Sequence, residues 1–196
     1  MSMRRTLLLI IAAMLLGCVS APSYQFFDGG HRVEQPGVSF VMPEGLKWFA
    51  IVRSTYQGVF GAIGTPENDT LIVSCKVYSI QPVSSKKDFL NEVHELRIRE
   101  PNTGRFESIR NTEQLYDNRP ETCVIYRSAS KDFGAEAKRG GQYSILETIG
   151  MHCVYPSKPA VGIQVELSRK APPDTSYKNF DEIGIALLQS VKFGAF

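Results

Sequence analysis

Apolar residues keep three rhythms along this chain. Ten of them run unbroken over residues 7–16. From residue 38 onward most alternate with polar ones, the period-2 pattern of half-buried strands, and in two stretches they recur every three or four residues, as on one helix face. The alternating stretches predict strands over 38–42, 47–53, 56–63 and 70–80, parted by the turn formers Pro43-Glu44-Gly45 and Pro66-Glu67-Asn68-Asp69. The period then changes. Ser84 or Ser85 can cap a helix that carries Phe89, Leu90, Val93 and Leu96 on one face, runs to residue 99 and ends at Pro101-Asn102-Thr103-Gly104. Strands over 105–116, 121–130, 142–155 and 160–169 follow, the last setting Val161, Ile163, Val165 and Leu167 against Gly162, Gln164, Glu166 and Ser168. A second helix over 176–189 turns Phe180, Ile183, Leu187 and Leu188 inward, and residues 191–193 add a short closing strand.

Hairpin-linked strands with two isolated helices predict one α+β domain over 37–196, a largely antiparallel sheet of about six to eight strands with two helices packed on it. No repeat or second domain is visible. Residues 18–36 read as a tether punctuated by Pro22, Gly29, Gly30 and Pro36, with Tyr24, Phe26 and Phe27 able to dock on the domain or to sit in a lipid interface.

The unbroken run has its own logic. Arg4 and Arg5 precede it, and Gly17-Cys18 closes it. A basic start, a short apolar core and a small residue at the cut define a secretory signal peptide over residues 1–17. Ten apolar residues fall short of the roughly 20 that a spanning helix needs. Cysteine directly after Leu15-Leu16-Gly17 resembles the lipobox of bacterial lipoproteins. That resemblance implies a diacylglyceryl group on the Cys18 sulfur, cleavage before Cys18, and a further acyl chain such as palmitate on its new amino group. Val19 stands where an aspartate would mark inner-membrane retention, so the resemblance implies an outer-membrane protein facing the periplasm. One acyl chain anchors only marginally, whereas two or three on one cysteine hold a domain at a membrane.

The body of the chain resembles, more loosely, the PsbP-like α-β-α sandwich family of photosystem assembly proteins and bacterial proteins of unassigned role. The residues that carry this are Val38-Ser39-Phe40-Val41-Met42-Pro43-Glu44-Gly45 and the final helix running into Leu188-Gln189-Ser190-Val191-Lys192-Phe193. The resemblance implies a fold and no active residue.

Cleavage before Cys18 takes 17 of the 196 residues and leaves 179, the size of one domain. It also removes Arg4 and Arg5, so that 20 basic residues face 20 acidic ones. A neutral body argues against nucleic acid as a partner, whose phosphates demand basic clusters. Three cysteines remain, Cys75, Cys123 and Cys153. Cys75 shares a strand face with Leu71, Val73 and Val77 and reads as a small buried hydrophobe. Cys123 and Cys153 fall on two later strands, where both a disulfide and a pair of buried thiols are open.

Candidate chemistry is sparse. His31, His94 and His152 have no zinc-like spacing, and His94-Glu95-Leu96-Arg97-Ile98 lacks the second histidine of a metalloprotease helix. No Gly-x-Ser-x-Gly elbow occurs, and His152 and Cys153, adjacent in a strand, point to opposite faces. Glycines 58, 61 and 64 match neither nucleotide fingerprint and read as a kinked strand. No catalytic residue, metal ligand or cofactor is expected. What remains is a lipid-anchored binding or assembly module whose partners are the membrane, through Cys18, and envelope proteins. A tethered hydrolase with a dispersed site and a carrier of apolar ligands are the alternatives. For partner contact, the loop 131–141 with Phe133 as an exposed anchor and the Gly58–Gly64 region are the expected places.

Overall fold

Long alternating strands leave two differently coated faces, and this chain uses both. The computed structural model describes residues 25–66, 68–98, 104–134, 142–173, 175 and 179–195. Eight strands form one sheet in the order β1-β4-β5-β6-β10-β9-β8-β7, every pair antiparallel. These are β1 (Phe26–Asp28), β4 (Lys47–Arg53), β5 (Gln57–Ile63), β6 (Thr70–Ser79), β7 (Phe106–Leu115), β8 (Cys123–Asp132), β9 (Ser144–Tyr155) and β10 (Lys158–Ala171). A three-stranded sheet pairs β2 (Arg32–Gln35) with β3 (Val38–Val41), and β3 with β11 (Lys192–Phe193). The helices are α1 (Lys86–Ile98) and α2 (Phe180–Ser190). The class is α+β, among the described residues a large antiparallel sheet with two helices.

One face of the large sheet carries Val73, Cys75, Ile125, Met151, Val165 and Leu167, buried beneath α2 and the small sheet in a single apolar cluster. The opposite face carries Val124, which joins Ile80 and the α1 residues Phe89 and Val93 in a second, smaller cluster. The two helices therefore lie on opposite sides of the sheet. Alternation on β8 shows why: Cys123 and Ile125 enter one core, Val124 the other.

α1 starts where the sequence places a cap, with the Ser85 hydroxyl accepting the Asp88 N–H at 3.1 Å. Phe89 and Val93 are fully buried, but Leu96 is exposed, correcting the four-residue inner face. At that end the sheet presents the polar groups of Asn111, Glu113 and Tyr126, and Arg97 meets them instead. α2 ends without a basic residue in its own last turn. Arg119 donates to the carbonyls of Leu188 (3.3 Å) and Val191 (3.0 Å), and Arg32 donates to that of Ser190 (3.2 Å).

The tether over 18–36 needs correction from Phe26 onward. β1 pairs with β4, and β2 with β3, so residues 26–35 belong to the folded body. Strands of three and four residues around Gly29-Gly30 are too short to show alternation, and so they pass for a linker. Phe27 packs edge-on against Phe60 at 5.7 Å.

Candidate functional site

Polar residues on the α1 face of the sheet gather in register. Ser74 of β6 stands beside Glu166 of β10, Glu166 beside Gly150 of β9, and Gly150 beside Tyr126 of β8. Cross-strand partners share a face, so these four form one row. Tyr126 lies flat over Gly150, where a Cβ would come within 2.3 Å of its ring and hydroxyl. The ring thus crosses a whole strand, and its hydroxyl donates to Glu166 Oε2 at 2.6 Å. Ser74 donates to Glu166 Oε1 at 3.1 Å, and Gln164 Nε2 donates to the Tyr126 oxygen at 2.9 Å.

Tyr78 repeats the device two rows away. It lies over Gly162 of the neighbouring β10, where a Cβ would fall 2.6 Å from the ring. Its hydroxyl comes within 2.6 Å of His152 Nδ1 on β9, the next strand along. The His152 and Tyr126 rings are 5.2 Å apart, which joins the two rows. Above Tyr126 sits the Arg97 guanidinium, 3.8 Å from the ring centroid. Arg97 also donates to Glu113 Oε1 at 2.8 Å and Asn111 Oδ1 at 2.6 Å, while His94 Nδ1 lies 2.7 Å from Glu113 Oε2.

Burial sets the electrostatics here. Desolvation, with the Arg97 charge behind it, pushes His152 down to about 3. Burial pushes Tyr78 well above its ordinary value, with the Glu92 charge adding to it, and Tyr126 rises for the same first reason with Glu166 adding to it. Tyr78 therefore keeps its proton and His152 stays neutral, with one hydrogen bond between the hydroxyl and Nδ1. Burial also raises Glu113, but the hydrogen bonds with His94, Asn111 and Arg97 outweigh it and hold the carboxyl below its usual range.

The residues singled out from the sequence are otherwise dispersed. His31 stacks near Phe27 at 5.4 Å, His94 stands exposed on α1 and reaches the cluster's rim through Glu113, and only His152 is buried within it. Cys153 points to the other face, where it forms a disulfide with Cys123, its register partner at a Cα separation of 4.1 Å. Cys75 is a buried free thiol, pushed up to about 12 by burial. Cys18 and residues 135–141 of the proposed contact loop lie outside the described residues. Phe133 is half-buried against Tyr143 at 5.9 Å, a correction to its expected role as an exposed anchor. Its neighbour Asp132 is buried and gripped by Arg105 at 2.6 and 2.8 Å and by Lys170 at 2.7 Å, so the loop's first turn is part of the framework. Gly58–Gly64 falls on β5 and the residue after it.

Two surface concavities lie elsewhere. A cleft of about 410 Å³ is lined by Tyr116, Asn118, Arg119, Pro120, Glu121 and Gln189. A smaller one of about 260 Å³ includes His31, Arg32, Arg53 and Phe60. Among the described residues, no three His, Cys, Asp or Glu side chains gather as a metal group, and no helix is long and apolar enough to cross a membrane.

No protein-family model matches the chain, and no curated protein matches it. Among solved structures it is similar to the Ran-binding protein Mog1p of Saccharomyces cerevisiae, at 9% sequence identity and a TM-score of 0.42, over 88% of this chain and 96% of that one.

The Tyr–His–Glu cluster was the part that sequence reading missed. Ser74, Gln164 and Glu166 show as the polar half of an alternating pattern. Nothing in the pattern says that Tyr78, Tyr126 and His152 share their face. The signal was Gly150 and Gly162, each interrupting a strand where a tyrosine from the neighbouring strand crosses.

Proposed function

We propose that this protein is a lipid-anchored domain, facing the periplasm from the outer membrane, that works by binding or assembly and not by turnover. The observation that carries this reading is the direction in which the polar cluster shifts its groups. Proton-transfer catalysis works best with groups titrating near the operating pH. Here His152 is driven far below neutrality and Tyr78 and Tyr126 far above it, while their hydroxyls bond to His152 and Glu166. Such a cluster stiffens a sheet face and shapes a surface. Location rests on the leader Leu15-Leu16-Gly17-Cys18. The layering of helices on both sides of one sheet supports the PsbP-like resemblance.

The alternatives draw less support. A hydrolase needs a nucleophile served by a base, and the hydrogen-bond partners found for His94 and His152 are Glu113 and Tyr78, neither a serine nor a cysteine. A carrier needs room beneath a helix, yet Phe89, Val93, Leu187 and Leu188 are all packed into the cores.

Mass spectrometry of the mature N-terminal peptide tests the anchor, and an unmodified Cys18 or a chain beginning elsewhere refutes it. Cross-linking in native membranes tests the mode of action. A specific adduct supports a contact function. A hydrolytic activity that disappears in His94→Ala or His152→Ala replaces it with an enzyme.

A further inference from the structure

Among the described residues, the face of the sheet that bears α1 is covered at one end only. α1 packs on β7 and β8. At the far end, β1, β4 and β5 present apolar residues to solvent on that same face. The register fixes the side: Val52 stands beside Val59, Val59 beside Ser74, and Ser74 beside Glu166 in the row that leads to Tyr126. Phe26 pairs with Phe49, whose ring rests over Gly61. A bulge between Ala50 and Val52 places Ile51 over Gly61 as well, so the apolar run is not broken by alternation. Phe26 is 61% exposed, Ile51 47%, Val52 42% and Ile63 43%. Lys47 and Lys76 stand exposed on this face and border the patch, with Asp28 beside Lys47.

A contiguous apolar patch with a polar rim marks a contact surface, and its place on the chain identifies the occupant. Phe26 follows Cys18 by eight residues. A stretch of that length spans at most roughly 26–29 Å at about 3.3–3.6 Å per residue. An acylated Cys18 therefore keeps the β1 end of this face within that distance of lipid. Aromatic and branched aliphatic side chains flanked by lysines, whose stems can extend along the apolar surface toward headgroups, suit a membrane interface.

We infer that the exposed β1–β4–β5 half of this face rests on the lipid surface that holds Cys18. The inference depends on the lipid-anchored reading above and adds an orientation to it. α2 and the small sheet then point away from the membrane, toward partners.

The test uses the mature protein in phosphatidylethanolamine–phosphatidylglycerol vesicles, with single spin labels introduced through Ile63→Cys, Ile51→Cys or, on the opposite side in α2, Glu182→Cys. The expected result is an oxygen-to-nickel-complex accessibility ratio several-fold higher at 63 and 51 than at 182. Emission of the buried Trp48 checks the fold of each variant, and two labels on the patch guard against one that disturbs it. If Cys18 is acylated but 63 and 51 are as water-exposed as 182, the docking inference falls and the anchored reading stands. If Cys18 is unmodified, the anchored reading falls and the docking with it. Labels shielded from both oxygen and nickel, with spin–spin broadening, would mean that a second copy covers the face, which also overturns the inference.

Discussion

Tyr126 reaches Glu166 across β9 because Gly150 leaves the space its ring occupies; a Cβ at position 150 would lie 2.3 Å from the ring carbon Cζ and from the hydroxyl. Gly150→Ala must displace the ring and break the 2.6 Å bond to Glu166. The expected loss is about 2–4 kcal/mol, read from urea denaturation. Adding Tyr126→Ala to Gly150→Ala should cost less than the sum of the two single changes, because the second removes what the first collides with. Additive losses would mean that the two residues do not meet.

His152 makes stability depend on pH. Its folded value is about 3, against about 6.5 unfolded, so between those values the unfolded chain binds the extra proton. The contribution is complete above pH 6.5 and drains away as the pH falls toward 3. His152→Gln keeps a hydrogen-bonding partner for Tyr78 and does not titrate. Between pH 6 and 4 the wild type should lose about 1.4 kcal/mol per pH unit more than this variant. Parallel curves from urea midpoints would show that His152 is not held neutral.

The Cys123–Cys153 bridge closes a separation of 30 residues. On the chain-entropy account, a loop of that length contributes roughly 3–4 kcal/mol at 25 °C. Cys123→Ala with Cys153→Ala, or reduction of the native chain, should lower the unfolding free energy by about that amount. An unchanged urea midpoint after verified reduction would rule the contribution out.

Arg119 holds the C-terminus of α2 from 69 residues away in sequence, through the Leu188 carbonyl. Arg119→Ala should destabilise by about 1–3 kcal/mol, since charged donors leave the helix-end carbonyls. Arg119→Lys should recover only part of this, because an ammonium lacks the planar fork that spans the carbonyls of Leu188 and Val191. Equal stability of the Lys variant and the wild type would reduce the contact to simple charge. Denaturation with far-ultraviolet circular dichroism as the readout decides.

Sequence alone carried the element list far. Lys47–Arg53 matches its expected strand at both ends, and the strands through Cys75, Val124, Met151 and Val165 and both helices stand where periodicity put them. Alternation is a local property, imposed on each strand by one buried face, and so it can be read without knowing the neighbours. Short strands escape for the same reason: β1 and β2 hold too few residues to reveal a period, and only pairing with Trp48 and Phe40 makes Phe27 and Val33 part of a sheet. Leu96 fails differently. Its helix-wheel position is apolar, but the sheet beneath the last turn of α1 is polar, and a helix cannot know what it will lie on.

By itself, then, the sequence determined the class of the domain and which side of the strands through Cys75 and Val165 turns inward, because hydrophobic periodicity acts over neighbouring residues. Only the tertiary structure decided that Tyr78 and Tyr126 cross glycines to meet His152 and Glu166, that Arg32 and Arg119 cap a helix neither belongs to, and that Phe26, Ile51 and Ile63 are exposed on one face. Those relationships depend on strand order and register. Both are set by the closure of the whole sheet, a long-range condition that no window of neighbouring residues contains.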